Sequence, residues 1–380
     1  HFGLIGNSLY SGCSGIALLF ARLAAASEGE AAQSWSDRAW ACFEGLAELA
    51  ERNSNDQLFR MVRDLPFGIS GSGGTLLTLL LLQRAGLEEA GPLAAQLIEQ
   101  LRPERLLADE GVDVISGVTG LIGPLLLTGT ARAQELAAVC GVRLLGLQLE
   151  SGGWSSSAVA SLRRPPLTGF SHGAAGMGAA LARLAQVSGE QRFAAGARQA
   201  VAYERSVYDG ERGNWPDFRS SSEANEFMLS WCNGAPGILL SRHLLQAAGL
   251  ADAHTTAEQH SARASTLAAL KHLQSRAGDA AAHLCCGVLG LTSLLRLDAH
   301  AGGLELAAPV AAAESAVILQ AQASGGYTFF SVDTGSLNLP GLYNGKAGVA
   351  LALLEAADGL QMLPAVLSSG LLDASGAGPG

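Results

Sequence analysis

The chain is short of lysine. Lys271 and Lys346 are the only two in 380 residues, and 34 acidic side chains face 24 basic ones for a formal charge of −10. That balance argues against nucleic acid as a partner, since phosphate backbones are met by basic clusters and none is present. Charged residues of every kind make up only 15%, against 48% hydrophobic ones. So much apolar surface excludes intrinsic disorder, because burying it offsets the entropy of ordering the chain. Long hydrophobic runs are missing too. The most lipid-like stretch, Leu76–Leu82, falls far short of the roughly 20 residues that span a bilayer, so no transmembrane segment is expected. No basic flank followed by an apolar core marks a signal peptide. Six cysteines, Cys13, Cys42, Cys140, Cys232, Cys285 and Cys286, are too few to scaffold this length with disulfides. A reduced, cytoplasmic protein is expected. The chain opens on His1 instead of methionine, which fits a piece of a longer protein.

Glycine is in excess, at 48 residues, nearly twice average usage. The excess is organised. Gly-x-x-Gly followed by an apolar run occurs seven times, starting at Gly12, Gly71, Gly117, Gly173, Gly234, Gly287 and Gly345, with spacings of 46 to 61 residues. One such motif carries no information, but seven at a near-constant period define a repeat architecture. Each repeat is long enough for two helices and their connections. Amphipathic stretches such as 32–52, 131–149 and 257–275 lie between the motifs, while the runs after them are apolar nearly all round. An amphipathic stretch reads as an outer helix and an all-apolar one as a buried inner helix. An open solenoid needs polar caps at its ends. Here the first and last repeats are as apolar as the rest, so the expected fold is an all-α, closed α/α toroid. It is read as one domain over residues 1–373, with 374–380 a disordered tail.

Inner helices running parallel would gather their glycine-rich N-termini at one mouth, where unpaired N–H groups and the helix dipoles favour anions. The residue before each motif is Ser11, Ser70, Ser116, His172, Asn233, Cys286 and Asn344; one place earlier stand Tyr10, Ile69, Ile115, Ser171, Cys232, Cys285 and Tyr343. Three cysteines therefore fall on matched positions of neighbouring repeats. Convergent sulfur in a reducing compartment suits Zn²⁺, and three ligands would leave a tetrahedral ion one open position. Small buried cysteines beside crowded glycines are also ordinary packing residues, but the positional match favours Cys232, Cys285 and Cys286 as a metal set. His283 is close enough in sequence to compete as a ligand. His172 at the mouth reads either as a core histidine or as a proton carrier. Asp113, four residues before Gly117, reads either as a helix cap or as its partner in proton transfer. Cys13, Cys42 and Cys140 read as packing residues.

Four segments carry a resemblance. WCNGAPG at 231–237, LCCGVLG at 284–290, GFSHGAAG at 169–176 and DVISGVTG at 113–120 are similar to motifs of the lanthionine cyclases. The similarity runs from LYSGCSGIALLF to LYNGKAGVALALLEAA. With NWPDFR at 214–219 and LPAVL at 363–367, the chain most resembles the C-terminal cyclase domain of class II lanthipeptide synthetases (LanM). The resemblance implies a toroid of seven inner and seven outer helices, and a zinc ion held by Cys232 and Cys285. Cys286 stands where most of the family has histidine, a departure that a subset of these synthetases shares. His172 and Asp113 match the active-site histidine and aspartate. The implied reaction is intramolecular Michael addition of a peptide Cys thiol to dehydroalanine or dehydrobutyrine, giving (methyl)lanthionine rings. Its partners would be a dehydrated precursor peptide and a dehydratase domain, in the same chain or another. Three thiolates give Zn²⁺ a formal charge of −1, against 0 with one imidazole, which should raise nucleophilicity. Two other readings stay open: a relative that adds glutathione to dehydroamino acids, and a non-catalytic peptide-binding scaffold with a structural or absent zinc, which a fourth protein ligand, His283 first, would support.

Overall fold

The computed structural model describes residues 6–51, 60–61, 63–155, 164–219, 226–275, 280–329, 339–359 and 361–373. The expected tail at 374–380 lies outside them. Sixteen helices occur among the described residues: α1 (Cys13–Ala25), α2 (Gly29–Ala41), α3 (Glu44–Glu51), α4 (Ser72–Arg84), α5 (Ala90–Gln100), α6 (Pro103–Leu107), α7 (Thr119–Leu127), α8 (Ala131–Leu147), α9 (Ala174–Ser188), α10 (Gln191–Ser206), α11 (Ala235–Ala247), α12 (Thr255–Ser275), α13 (Val288–Gly302), α14 (Ala307–Ser324), α15 (Lys346–Asp358) and α16 (Leu363–Leu367). The only β-pairing among these residues is isolated bridges such as Gln148 with Trp154.

Seven helices, α1, α4, α7, α9, α11, α13 and α15, start at the seven motifs, and in six of them the first motif glycine is the N-cap. The exception is α7, capped one residue later by Val118. Both motif glycines have a steric reason. A Cβ on the first would strike the carbonyl of its own incoming loop; at Gly173 it would lie 1.8 Å from the Thr168 oxygen. The second sits where the neighbouring repeat crosses. A Cβ at Gly176 would lie 2.7 Å from Val114 Cγ2 in the repeat before.

Those crossing segments are tied by backbone hydrogen bonds at or one residue before the matched positions. The Leu9 N–H donates to Ile69, Ile69 to Val114, Val114 to Ser171, and Ser171 to the Cys232 carbonyl. On the far side Cys285 donates to Tyr343 and Tyr343 to Tyr10, at 2.8 and 2.9 Å. The ring therefore closes, and a Cβ at Gly15 would lie 2.5 Å from Leu342 Cβ of the last repeat. The toroid is the expected one. Six of its seven junctions carry a backbone rung; the junction of repeats five and six carries the cysteine sulfurs instead.

Two details differ from expectation. The amphipathic stretch at 32–52 is two helices, because the chain bends at Cys42 to bury Phe43, which is 1% exposed. The inner helices also carry charge within their apolar runs. Arg242 of α11 is fully buried, donating to Glu204 of α10 and Glu258 of α12 at 2.7 Å each. Asp298 of α13 receives His243 of α11 and Arg263 of α12. These pairs tie the inner layer to the outer one. Finally, α16 is buried at every position. It accepts from Trp231 Nε1 through Leu367 and from the Tyr343 hydroxyl through Val366, while the Ser369 hydroxyl reaches Gly120. The C-terminal segment thus packs across the ring against repeats three, five and seven.

Candidate metal centre

The site is built at the junction of repeats five and six. NWPDFR prepares the approach. Asn214 Oδ1 accepts the Ala235 N–H at the first turn of α11, and its amide donates to the Met228 carbonyl. Asp217 clamps the Arg219 guanidinium through both oxygens, and Arg219 Nη2 also lies 3.2 Å from Met228 Sδ. Gly234, with φ +77°, then turns the chain into α11 in a backbone region that favours glycine. This fixes Cys232 at the mouth.

Cys232, Cys285 and Cys286 come together as the sequence predicts. Their sulfurs all lie within 4.8 Å of one another, with Cys286 3.4 Å from each of the other two. All three are free thiols. A tetrahedral ion with Zn–S bonds of about 2.3 Å places its sulfurs about 3.8 Å apart, so the donor set fits. Cys232 and Cys285 are buried and Cys286 is exposed. Hydrogen bonds shared with Cys285 and Cys286 hold the Cys232 thiol well below its ordinary pKa, with Ser230 and the Arg219 charge adding to the effect. The Cys285 thiol is pushed up, and that of Cys286 up to about 12, chiefly by the hydrogen bond each makes with Cys232. The trio holds one negative charge readily and resists more. A divalent cation is the charge that would let all three ionise.

His283 is not a further ligand in this arrangement. Its Nδ1 accepts the Cys286 N–H at 3.2 Å, and the ring also bonds the backbone of Phe329 and Tyr343. Burial lowers its pKa, so a neutral imidazole serves the loop. Among the described residues no fourth His, Cys, Asp or Glu joins the sulfur cluster.

His172 and Asp113 meet directly, Nδ1 to Oδ2 at 2.6 Å. Asp113 does not cap the following helix: its Oδ1 accepts the Ser116 N–H at 2.7 Å and the Ser116 hydroxyl at 3.0 Å, closing the turn before α7, whose N-cap is Val118. Burial pushes its carboxyl up, but the His172 and Ser116 bonds together outweigh that and hold it below the usual value. His172 follows Ser171, whose N–H and hydroxyl both donate to the Cys232 carbonyl, so the pair stands one repeat away from the sulfurs. Nδ1 being taken, Nε2 is the nitrogen left for exchange with a ligand.

Sequence reasoning placed Tyr10 at a matched position without giving it a role. Its ring stacks flat on Tyr343, centroids 5.1 Å apart, and burial, with the three cysteines nearby, raises its pKa above the ordinary phenol value. Ser230 Oγ, 3.2 Å from Cys232 Sγ, was missed as well; a serine two residues before a candidate ligand carries no pattern of its own. Cys140 is fully buried and Cys13 and Cys42 half-buried, as packing residues are.

Residues 4–367 match the family model described as lanthionine synthetase C-like protein. The chain belongs to that family. Among solved structures, this LanC-like chain is similar to nisin cyclase, with a TM-score of 0.71 over 98% of this chain and 94% of that one. At 19% identity the likeness is one of fold. No curated protein matches the chain. No helix among the described residues is long and apolar enough to cross a membrane.

Proposed function

We propose that this LanC-like chain is a zinc-dependent cyclase that closes thioether rings in a dehydrated precursor peptide. The observation that carries the reading is the convergence of Cys232, Cys285 and Cys286 with no fourth protein ligand among the described residues, one repeat away from His172 and its partner Asp113. Three sulfurs with an open side suit a site that takes up a substrate ligand. When bound there, zinc would hold a peptide thiol as the thiolate at neutral pH, where a free thiol of pKa about 8.5 is mostly protonated. The thiolate adds to the β-carbon of dehydroalanine or dehydrobutyrine, forming the C–S bond as the C=C pair moves into an enolate. His172 delivers a proton from Nε2 to the α-carbon, and Asp113 holds its Nδ1 side and supports the charged ring. The thiol gives up one proton and the α-carbon gains one, so the addition needs no co-reactant.

The substrate would come from a dehydratase acting on Ser and Thr, in the same protein or a separate one. The LanM-like motifs favour the same protein. A fourth protein ligand would have supported the scaffold reading, and His283, the first candidate for it, is engaged with backbone groups.

Metal content per chain, on wild type beside Cys286→Ala, is the first test. About one zinc per chain, lost or loosened in the variant, supports the site; no zinc in fully reduced protein overturns it. Incubation with a dehydrated Cys-containing peptide then separates the activities. Ring closure without mass change supports the cyclase, whereas addition of supplied glutathione to a cysteine-free dehydrated peptide would assign the chain to the glutathione-adding relatives.

A further inference from the structure

A histidine delivers a proton to a fixed place only if one ring nitrogen is spent and the other kept free. Asp113 Oδ2 holds Nδ1 of His172, but a carboxylate turns easily about its last side-chain bond. Its other oxygen has to be fixed as well. Three of the seven residues that precede the glycine motifs are serines, Ser11, Ser70 and Ser116, and they are used differently. Ser11 is exposed. The Ser70 hydroxyl donates to the Ile115 carbonyl at 2.7 Å. Ser116 alone of the three bonds the proton pair, its N–H and its hydroxyl both donating to Asp113 Oδ1.

Ser116 is itself held from both sides. Repeat two donates to its segment three times, from the Ile69 N–H to Val114, from Ser70 to Ile115 and from Phe67 to the Ser116 carbonyl. Val114 donates onward to Ser171, next to His172. Upstream, Asp109 closes the loop: its Oδ1 accepts the Gly111 N–H at 3.2 Å and its Oδ2 the Val118 N–H at 2.9 Å. Arg143 Nε of α8 then donates to the Asp109 carbonyl at 2.7 Å. A Cβ at Gly111 would come 3.3 Å from Ser116 Oγ, so that glycine leaves the hydroxyl little more than the room it occupies.

We propose that Ser116 is a positioning residue for the proton transfer: its hydroxyl locks Asp113 so that Oδ2 stays on His172 Nδ1 and Nε2 is kept for the ligand. The inference rests on the proton-delivery reading above and adds a residue to it. Turning the carboxylate away from the imidazole would break both Ser116 bonds at once. Burial alone would push the Asp113 carboxyl up, but the bonds from His172 and Ser116 outweigh it, so the group stays ionised. An ionised carboxylate can only accept. The ring nitrogen that faces it is therefore the donor, which fixes both the tautomer and the orientation of the ring. Any residue at this position supplies the backbone N–H, whereas the second donor needs a hydroxyl. Repeat two, which contributes no member of the pair, acts on it by fixing the segment that carries Ser116.

The first arm of the test needs no substrate. In protein carrying nitrogen-labelled histidine, a ring N–H bonded to a carboxylate exchanges slowly with water and gives a proton signal; that of His172 is the one missing from His172→Asn. Ser116→Ala should broaden or abolish this signal at unchanged zinc content, and Ser116→Thr, which keeps a hydroxyl, should retain it. The second arm reads single-turnover ring closure by zinc-loaded protein on a peptide with one cysteine and one dehydrobutyrine. Ser116→Ala should slow the step roughly tenfold, the scale of one hydrogen bond to a charged group, and Ser116→Thr should restore it. In the His172→Asn background Ser116→Ala should cost nothing further, because the group it acts through is gone. An unchanged His172 signal in Ser116→Ala would overturn this inference. So would an equal slowing with and without His172, which is what a loosened mouth produces. Wild type that closes no ring, with the His172 signal lost in Ser116→Ala as expected, would overturn the proposed function alone.

Discussion

At the scale of single residues, the roles of the ligands and of the proton pair separate cleanly. His172→Asn or Asp113→Asn should lower ring closure by about 10²–10⁴-fold, the usual contribution of a positioned acid, while zinc content stays near one per chain. If either variant lost the zinc as well, the pair would be holding the mouth together and not moving a proton. Cys286→His should slow ring closure, because an imidazole removes one negative charge from the centre; an unchanged rate on every ring would end that argument. Asp113 also makes a pH prediction. Its folded pKa lies below the ordinary 3.8, so its stabilisation is fully present above the unfolded pKa and is lost as pH falls through the folded one. The stability gap between wild type and Asp113→Asn should hold constant near neutral pH and shrink below about pH 4. A gap that stays constant through pH 3 would show that the Ser116 and His172 bonds do not depend on the charge.

The cysteines and His172 were legible in the sequence because the repeat sets a register that brings matched positions together, whereas Asp113, four residues before Gly117 and off those positions, was picked out by the DVISGVTG resemblance. Tyr10 was on that register too. Its stack on Tyr343 was hidden because closure alone makes repeat one a neighbour of repeat seven. Arg219 and Ser230 lie off the register, in the approach to Cys232, and no spacing pointed to them.

At the scale of elements, glycine decides how closely helices approach, and helix α8 holds both extremes. A Cβ at Gly141 would lie 2.2 Å from Leu184 Cδ2 and 2.6 Å from Phe193 Cε1. At Gly146, one turn and a half further on and exposed, it would meet nothing within 4 Å. Gly146→Ala should therefore stabilise the protein by about 0.5–1 kcal/mol through helix propensity and a less free unfolded chain. Gly141→Ala should cost about 1–3 kcal/mol, as overpacking does. Thermal or denaturant midpoints of the two variants check this, and the same sign for both would mean that α8 is free to move away from α9 and α10. The helices themselves were readable from amphipathic and apolar runs. The buried ions were not, because an Arg242 within an apolar helix acquires its partners, Glu204 and Glu258, only from two other helices.

At the scale of the whole molecule, the seven-fold period gave the toroid, and closure followed from ends as apolar as the middle. What the period could not give is the inequality of the junctions. Six are tied by a backbone rung at or one residue before the matched positions. The seventh, between Cys232 and Cys285, has sulfur atoms where the others have an N–H and a carbonyl. An ion bound there would join α11 to α13 at the one place where the backbone does not, so metal affinity should appear as stability of the entire ring. A ligand that binds only the folded state adds RT ln(1 + [L]/Kd), about 2.7 kcal/mol at a free concentration one hundred times Kd. Chelation should therefore lower the midpoint of thermal unfolding by several degrees. Circular dichroism and tryptophan fluorescence should shift together, because Trp231, packed at a tilt against Tyr343 and bonded to Leu367, reports the same closed structure. Cys286→Ala should melt like the chelated wild type and respond little to added zinc. If chelation left the midpoint where it was while abolishing ring closure, the junction would be held by helix packing and α16 alone, and the metal's role would be confined to the chemistry at the mouth.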